Sequence, residues 1–218
     1  MKLVLTSIGI ENKSIDNELR KIIGKNFNGL KVLFCMTASN YYGGDVSGWL
    51  IEDLEYFQNK GCAIDLCDIN GMSLENLLPR FEWADILYFG GGNTQWLRYC
   101  LRNSGLEEHL KDLLESRVWI GVSAGGCVLT PTISNPVYDL AGEDIEGYPA
   151  DGLSLVDFQF VPHLGYPNHS EEEIRKKSAK LTKKDGKKLY ALDDESAIFI
   201  KNGSVKVVSE GEWFKVKL

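Results

Sequence analysis

The sequence predicts an α/β fold: a mostly parallel sheet with helices on both faces, formed as one domain over residues 1–218. Three observations carry this reading. Short apolar runs rich in Val, Ile and Leu alternate with helical patterns through the first 130 residues. These runs are apolar almost throughout, as strands buried on both faces must be. Strand–helix alternation of this kind implies right-handed crossovers between parallel strands. A chain of 218 residues also suffices to bury a core without metals or disulfides.

The elements follow in order. Strand patterns cover residues 3–8, 30–36, 62–67, 85–89 and 118–122, and helical patterns cover 15–23, 46–60, 73–78, 93–102 and 106–115. The strand-to-helix loops at 37–45, 90–94 and 121–123 should meet at the carboxyl edge of the sheet, where ligands bind in open α/β folds. Residues 130–152 are rich in proline, glycine and acidic residues and lack periodicity, which predicts a long functional loop or lid. Beyond it, 158–161 reads as a strand and 171–181 as a helix. Residues 188–192, 197–201 and 205–208 read as closing strands, with Asn202-Gly203 a hairpin signal between the last two.

Composition excludes several classes. A net charge of −7 disfavours nucleic acid, whose phosphates require a basic face. No apolar stretch approaches the ~18–20 residues of a membrane span. Residues 1–8 read as a first strand rather than a signal segment. Five cysteines (35, 62, 67, 100 and 127) without CxxC spacing indicate neither a disulfide framework nor a zinc site, so the expected setting is reduced and cytoplasmic. Cys127, one helical turn after Ser123, should pack inward. The lysine-rich stretch 176–188 reads as a solvated face. Acidic charge and apolar content fit a monomer or a homodimer equally.

Gly121-Val122-Ser123-Ala124-Gly125 follows the apolar run 117–120 and opens a helix. A serine at such a corner is lifted out of the sheet, and flanking glycines let backbone and substrate approach closely. The pattern also occurs as an ordinary glycine-rich turn, so the chemistry depends on partners. A serine hydroxyl needs a base. Of the three histidines, His109 lies mid-helix among charges and should be exposed. His169 precedes a helix start in which Ser170 and Glu173 form a capping pattern. His163 follows an apolar strand and Pro162, which places it at the carboxyl edge. It is the expected base. The acid that orients it should come from Asp193-Asp194-Glu195, which also has the character of a turn. Glu195 has the first claim because it adjoins the apolar strand 197–200, and Asp194 has the second. Ala124 N–H and an amide of Gly90-Gly91-Gly92-Asn93-Thr94 are the expected oxyanion donors, with Gly91, Gly92 and Asn93 beside the substrate. That loop lacks the spacing of either common nucleotide-binding motif.

Taken in order, Gly90-Gly91-Gly92-Asn93-Thr94, Gly121-Val122-Ser123-Ala124-Gly125-Gly126 and Val161-Pro162-His163 resemble the peptidase E (aspartyl dipeptidase) family of serine peptidases, with cyanophycinase a more distant relative. The resemblance spans essentially the whole chain. It implies a class I glutamine amidotransferase-like fold and a Ser-His-Glu triad in that chain order. The matching residues are Ser123, His163 and Glu195, with Ala124 and Gly91 or Gly92 as oxyanion donors. It implies no cofactor. Members specific for aspartate are similar to one another in an Asp after the serine helix, where Asn135 stands here, and in an Arg shortly after the histidine. Residues 163–174 of this chain contain neither Arg nor Lys. The resemblance therefore implies a hydrolase of dipeptides or other short peptides acting through an acyl-enzyme, without implying aspartyl specificity. A non-peptidase amidase or acyl hydrolase on the same fold, and a catalytically silent ligand-binding homologue, are the alternative readings.

Overall fold

The two-residue period of β1 (Lys2–Thr6) shows how the layers arise. Leu3 and Leu5 face one side of the sheet and Val4 the other. The same alternation continues in β2 (Lys31–Cys35), β4 (Ile86–Phe89) and β5 (Val118–Val122). Leu3, Leu5, Leu33, Cys35, Leu87, Phe89 and Trp119 share a core with Leu77 and Phe81 of α3 (Leu74–Trp83) and Leu97 and Leu101 of α4 (Thr94–Asn103). Val4, Val32, Phe34, Ile86, Tyr88 and Ile120 meet Ile15 and Leu19 of α1 (Lys13–Ile23) and Phe57 of α2 (Ser47–Gln58). Helices thus cover both faces, as the apolar runs predict.

The computed structural model describes residues 1–42, 47–138 and 145–218. With β3 (Ala63–Cys67), β8 (Ser196–Lys201) and β9 (Ser204–Ser209), these residues form a seven-stranded sheet in the order β3-β2-β4-β5-β1-β8-β9. The pairings among β1 to β5 are parallel, and β8 and β9 run antiparallel. The β8–β9 turn is Asn202-Gly203, with φ of 51° and 82°, the left-handed pair that a tight hairpin requires.

Three expectations need correction. The strand expected at 62–67 is an edge strand, with Leu66 exposed, so it is not covered on both faces. The strand expected at 188–192 does not close the main sheet. Instead β6 (Gln159–Val161) and β7 (Lys188–Leu192) pair parallel in a separate sheet, completed by the antiparallel β10 (Trp213–Lys217). Finally, the helix expected at 106–115 begins as a 3-10 turn, Leu106–His109, before α5 (Leu110–Ser116). His109 there is half-buried rather than exposed.

Asp53 ties the α2 layer to the sheet. Its carboxyl is buried and accepts a short hydrogen bond from the Tyr88 hydroxyl of β4. Burial pushes its pKa up to about 7, with Glu11 and Glu52 adding to the rise and the Tyr88 bond opposing it. Between pH about 4, where an unfolded Asp ionises, and about 7, the unfolded chain has released a proton that the folded chain retains. Stability from this group therefore falls as pH rises through that window and is level above it. Asp53→Asn is expected to flatten this part of the profile, measured as Tm between pH 4 and 8.

Candidate active site

The site lies where the two sheets meet. β5 ends at Val122, and the chain turns sharply into α6 (Ala124–Cys127) through Ser123, whose φ is 48° and ψ −110°. A serine held in that sparsely populated conformation carries strain of about 1–3 kcal/mol, sustained by the surrounding structure. The flanking glycines explain how the corner is packed. A Cβ on Gly121 would strike the Gly125 carbonyl, and one on Gly125 would strike that of Phe89. The Trp119 indole N–H also donates to the Gly125 carbonyl at 2.9 Å, fastening α6 down on the strand that precedes it.

His163 follows β6 in the smaller sheet. Its Nε2 lies 3.0 Å from Ser123 Oγ and its Nδ1 3.2 Å from Asp194 Oδ1. An ionised carboxylate only accepts, so Nδ1 carries the proton and Nε2 is left to accept from the serine. The other Asp194 oxygen accepts from the Tyr166 hydroxyl at 2.7 Å, and that bond raises the Tyr166 pKa. The imidazole and the Asp194 carboxylate are each about one quarter exposed, so the pair is sheltered but reachable from solvent.

The acid expected from the sequence differs from the one that meets the base. Glu195 points away, and its Oε2 accepts from Asn12 Nδ2 at 3.1 Å beside the start of α1. The cause lies in the turn. Asp193 Oδ1 accepts from Glu195 N–H and Ser196 Oγ, which closes the bend and aims Asp194 back at His163. Ser196 begins β8 and is buried, while Glu195 stays in the exposed turn ahead of the strand.

Ser7, unremarked in the sequence, joins the two halves of the site. It sits fully buried just beyond β1. Its hydroxyl accepts from His163 N–H at 3.1 Å and lies 2.9 Å and 3.1 Å from the carbonyls of Asp193 and Leu192. His163 itself has a φ of 61°, so this bond helps hold a backbone that histidine does not favour. Ser7→Ala would leave the half-buried His163 amide without that acceptor, at a cost of about 1 kcal/mol. A fall in kcat of roughly 10-fold is expected, with a lower Tm, measured by steady-state kinetics and thermal melting.

Gly91 and Gly92 line the same cavity as Ser123. A Cβ on Gly91 would lie 3.4 Å from Ser123 Cβ. Gly92, at φ 130°, passes so close to Ala38 and Ser39 that no side chain fits there. Asn93 serves differently from the expectation. Its amide donates to the Ala38 carbonyl, while its side chain caps α4 through Trp96 N–H at 2.8 Å and donates to Tyr42 OH at 2.9 Å. It shapes the loop rather than facing substrate. Ala124 is the first residue of α6, and an amide at that position has no intrahelical acceptor.

A cavity of about 300 Å³ opens on Ser123 and His163, walled by Ile8, Ser39, Tyr42, Trp49 and the Gly91-Gly92 backbone. None of the described residues of the 130–152 loop lines it. That loop packs instead on α4, through Gln95 with Ile145 N–H and the Pro149 carbonyl and through Arg98 with Asp151. Asn135 is turned into the loop, bonding Thr132 and the amides of Val137 and Tyr138. The expected lid is therefore not a wall of this cavity among the described residues; 139–144 lie outside them, as do residues 43–46 of the loop expected at 37–45. His169 holds its own turn through backbone bonds with Gly165 and Tyr166, and Cys127 packs inward against Phe160, both as expected. Among the described residues no group of three or more His, Cys, Asp or Glu side chains is arranged to hold a metal.

A serine raised on a strand-to-helix corner, with an imidazole in reach and a glycine loop beside it, is the arrangement of an α/β hydrolytic enzyme. The chain belongs to peptidase family S51, whose family model matches residues 3–208, and it is a peptidase. It is 29% identical over 183 residues to an uncharacterized peptidase of Listeria monocytogenes, covering 83% of this chain and 86% of that one. It is 35% identical over 124 residues to peptidase E of a Nostoc strain, covering 53% of this chain and 47% of the relative. In fold it is similar to a crystal structure of a candidate peptidase E protein of Listeria monocytogenes, at a TM-score of 0.77 and 24% identity, covering 96% and 98% of the two chains. No helix among the described residues is long and apolar enough to cross a membrane.

Proposed function

We propose that the protein is a serine peptidase that hydrolyses dipeptides or other short peptides through an acyl-enzyme, with Ser123 as nucleophile, His163 as base and Asp194 as the orienting acid. The observation that carries this reading is the 3.0 Å approach of His163 Nε2 to Ser123 Oγ, on a ring held from behind by Asp194.

Ser123 Oγ attacks the scissile carbonyl as His163 Nε2 takes its proton. The developing oxyanion meets the amides of Ala124 and of Gly91 or Gly92. The imidazolium, stabilised by Asp194, passes its proton to the departing amine, which leaves the acyl group on Ser123. Water then repeats the sequence, and the product acid is released. A cavity of about 300 Å³ favours short substrates, being at the small end of the ~300–1,000 Å³ typical of ligand pockets.

Partitioning with hydroxylamine tests the covalent step. Purified protein turning over a dipeptide is expected to divide the acyl group between free acid and hydroxamate, in proportion to hydroxylamine concentration. Cleavage without any hydroxamate would contradict the acyl-enzyme. No cleavage of dipeptides alongside rapid ester cleavage would move the reading to a non-peptidase acyl hydrolase.

A further inference from the structure

Two ends of the cavity can be told apart by the chemistry. The departing amine must sit on the His163 side, because His163 gives it a proton, and Ser7 lies at that end. The acyl portion then falls on the side of the glycine loop. There Trp49 of α2 lies against Gly90, its Cη2 3.1 Å from where a Cβ would stand, and Ser39 and Tyr42 flank Gly92. Ile8 and Val122 complete the apolar walls.

The polar atoms on these walls are already engaged. Ser39 Oγ donates to the Met36 carbonyl at 2.7 Å, and Tyr42 OH accepts from Asn93. The described lining includes no Lys, Arg, Asp or Glu. An anionic side chain in this cavity would lose its hydration and find no cation on the described walls. A cationic side chain would find no carboxylate on the described walls, because Asp53, one turn beyond Trp49 on α2, is bonded to Tyr88. An apolar side chain needs no partner.

We infer that this site selects short peptides whose acyl-side residue is apolar, aliphatic or aromatic, and that Trp49 is the principal specificity-determining side chain. The inference rests on the peptidase reading above and names the substrate class of that same site.

The test is a panel of dipeptides with a fixed second residue and Leu, Met, Phe, Ala, Asp, Glu, Lys or Arg first, measured as kcat/KM. The Leu, Met and Phe members are expected to exceed the Asp and Glu members by about 100-fold and to exceed Lys and Arg. Trp49→Ala should narrow the Phe-to-Ala ratio, mainly through KM. Should that variant fold poorly, the wild-type panel decides alone. Cleavage that favours a charged first residue, or that shows no preference, overturns the inference and leaves the peptidase reading intact. Failure to cleave any member, while an ester is hydrolysed, overturns both.

Discussion

Ser123→Ala is expected to lower kcat on the order of 10⁶-fold for the best dipeptide while leaving Tm within a few degrees of the native value. The residue accepts no side-chain duty in the core beyond its bond to His163, so removing Oγ removes the nucleophile and little else. The backbone at φ 48° is strained for alanine and serine alike. What survives is the rate supplied by substrate binding and the oxyanion amides. Retention of more than a few per cent of native kcat in this variant would remove Ser123 from the mechanism.

Asp194→Asn is expected to lower kcat about 10⁴-fold, whereas Glu195→Gln is expected to leave it at the native level. The contrast follows from the bonds each carboxyl makes. Asp194 Oδ1 accepts from His163 Nδ1–H, which fixes the tautomer that presents a bare Nε2 to the serine. An asparagine there can offer N–H instead and stabilise the opposite tautomer, and it lacks the charge that stabilises the imidazolium. Glu195 bonds Asn12 and is exposed. Kinetics of both variants on one dipeptide give the comparison. The reverse order of effects would restore Glu195 as the acid.

Much of this molecule could be read from its residues, and the parts that could not have specific causes. The parallel core was legible because β1, β2, β4 and β5 are apolar on both faces, a pattern few other environments tolerate. Ser123 was legible because close packing demands glycine at 121 and 125, and His163 because it ends an apolar strand. The choice between Asp194 and Glu195 was not legible. It turns on the two bonds to Asp193 that close a bend, and adjacent carboxylates in a turn look alike until their directions are known. The small sheet escaped because β6 and β7 have the same local pattern as main-sheet strands, and only long-range pairing with β10 separates them. Ser7 escaped for another reason: a buried serine after a strand has no spacing that distinguishes a bridge from a filler.

The central claim is that Ser123 and His163 act as one nucleophilic unit, and covalent labelling tests it most directly. A fluorophosphonate is expected to form one adduct, mapped by peptide mass spectrometry to Ser123, in the native protein. It should form at least a hundredfold more slowly in His163→Ala. An adduct at another serine, or labelling of Ser123 at the native rate in His163→Ala, would contradict the account.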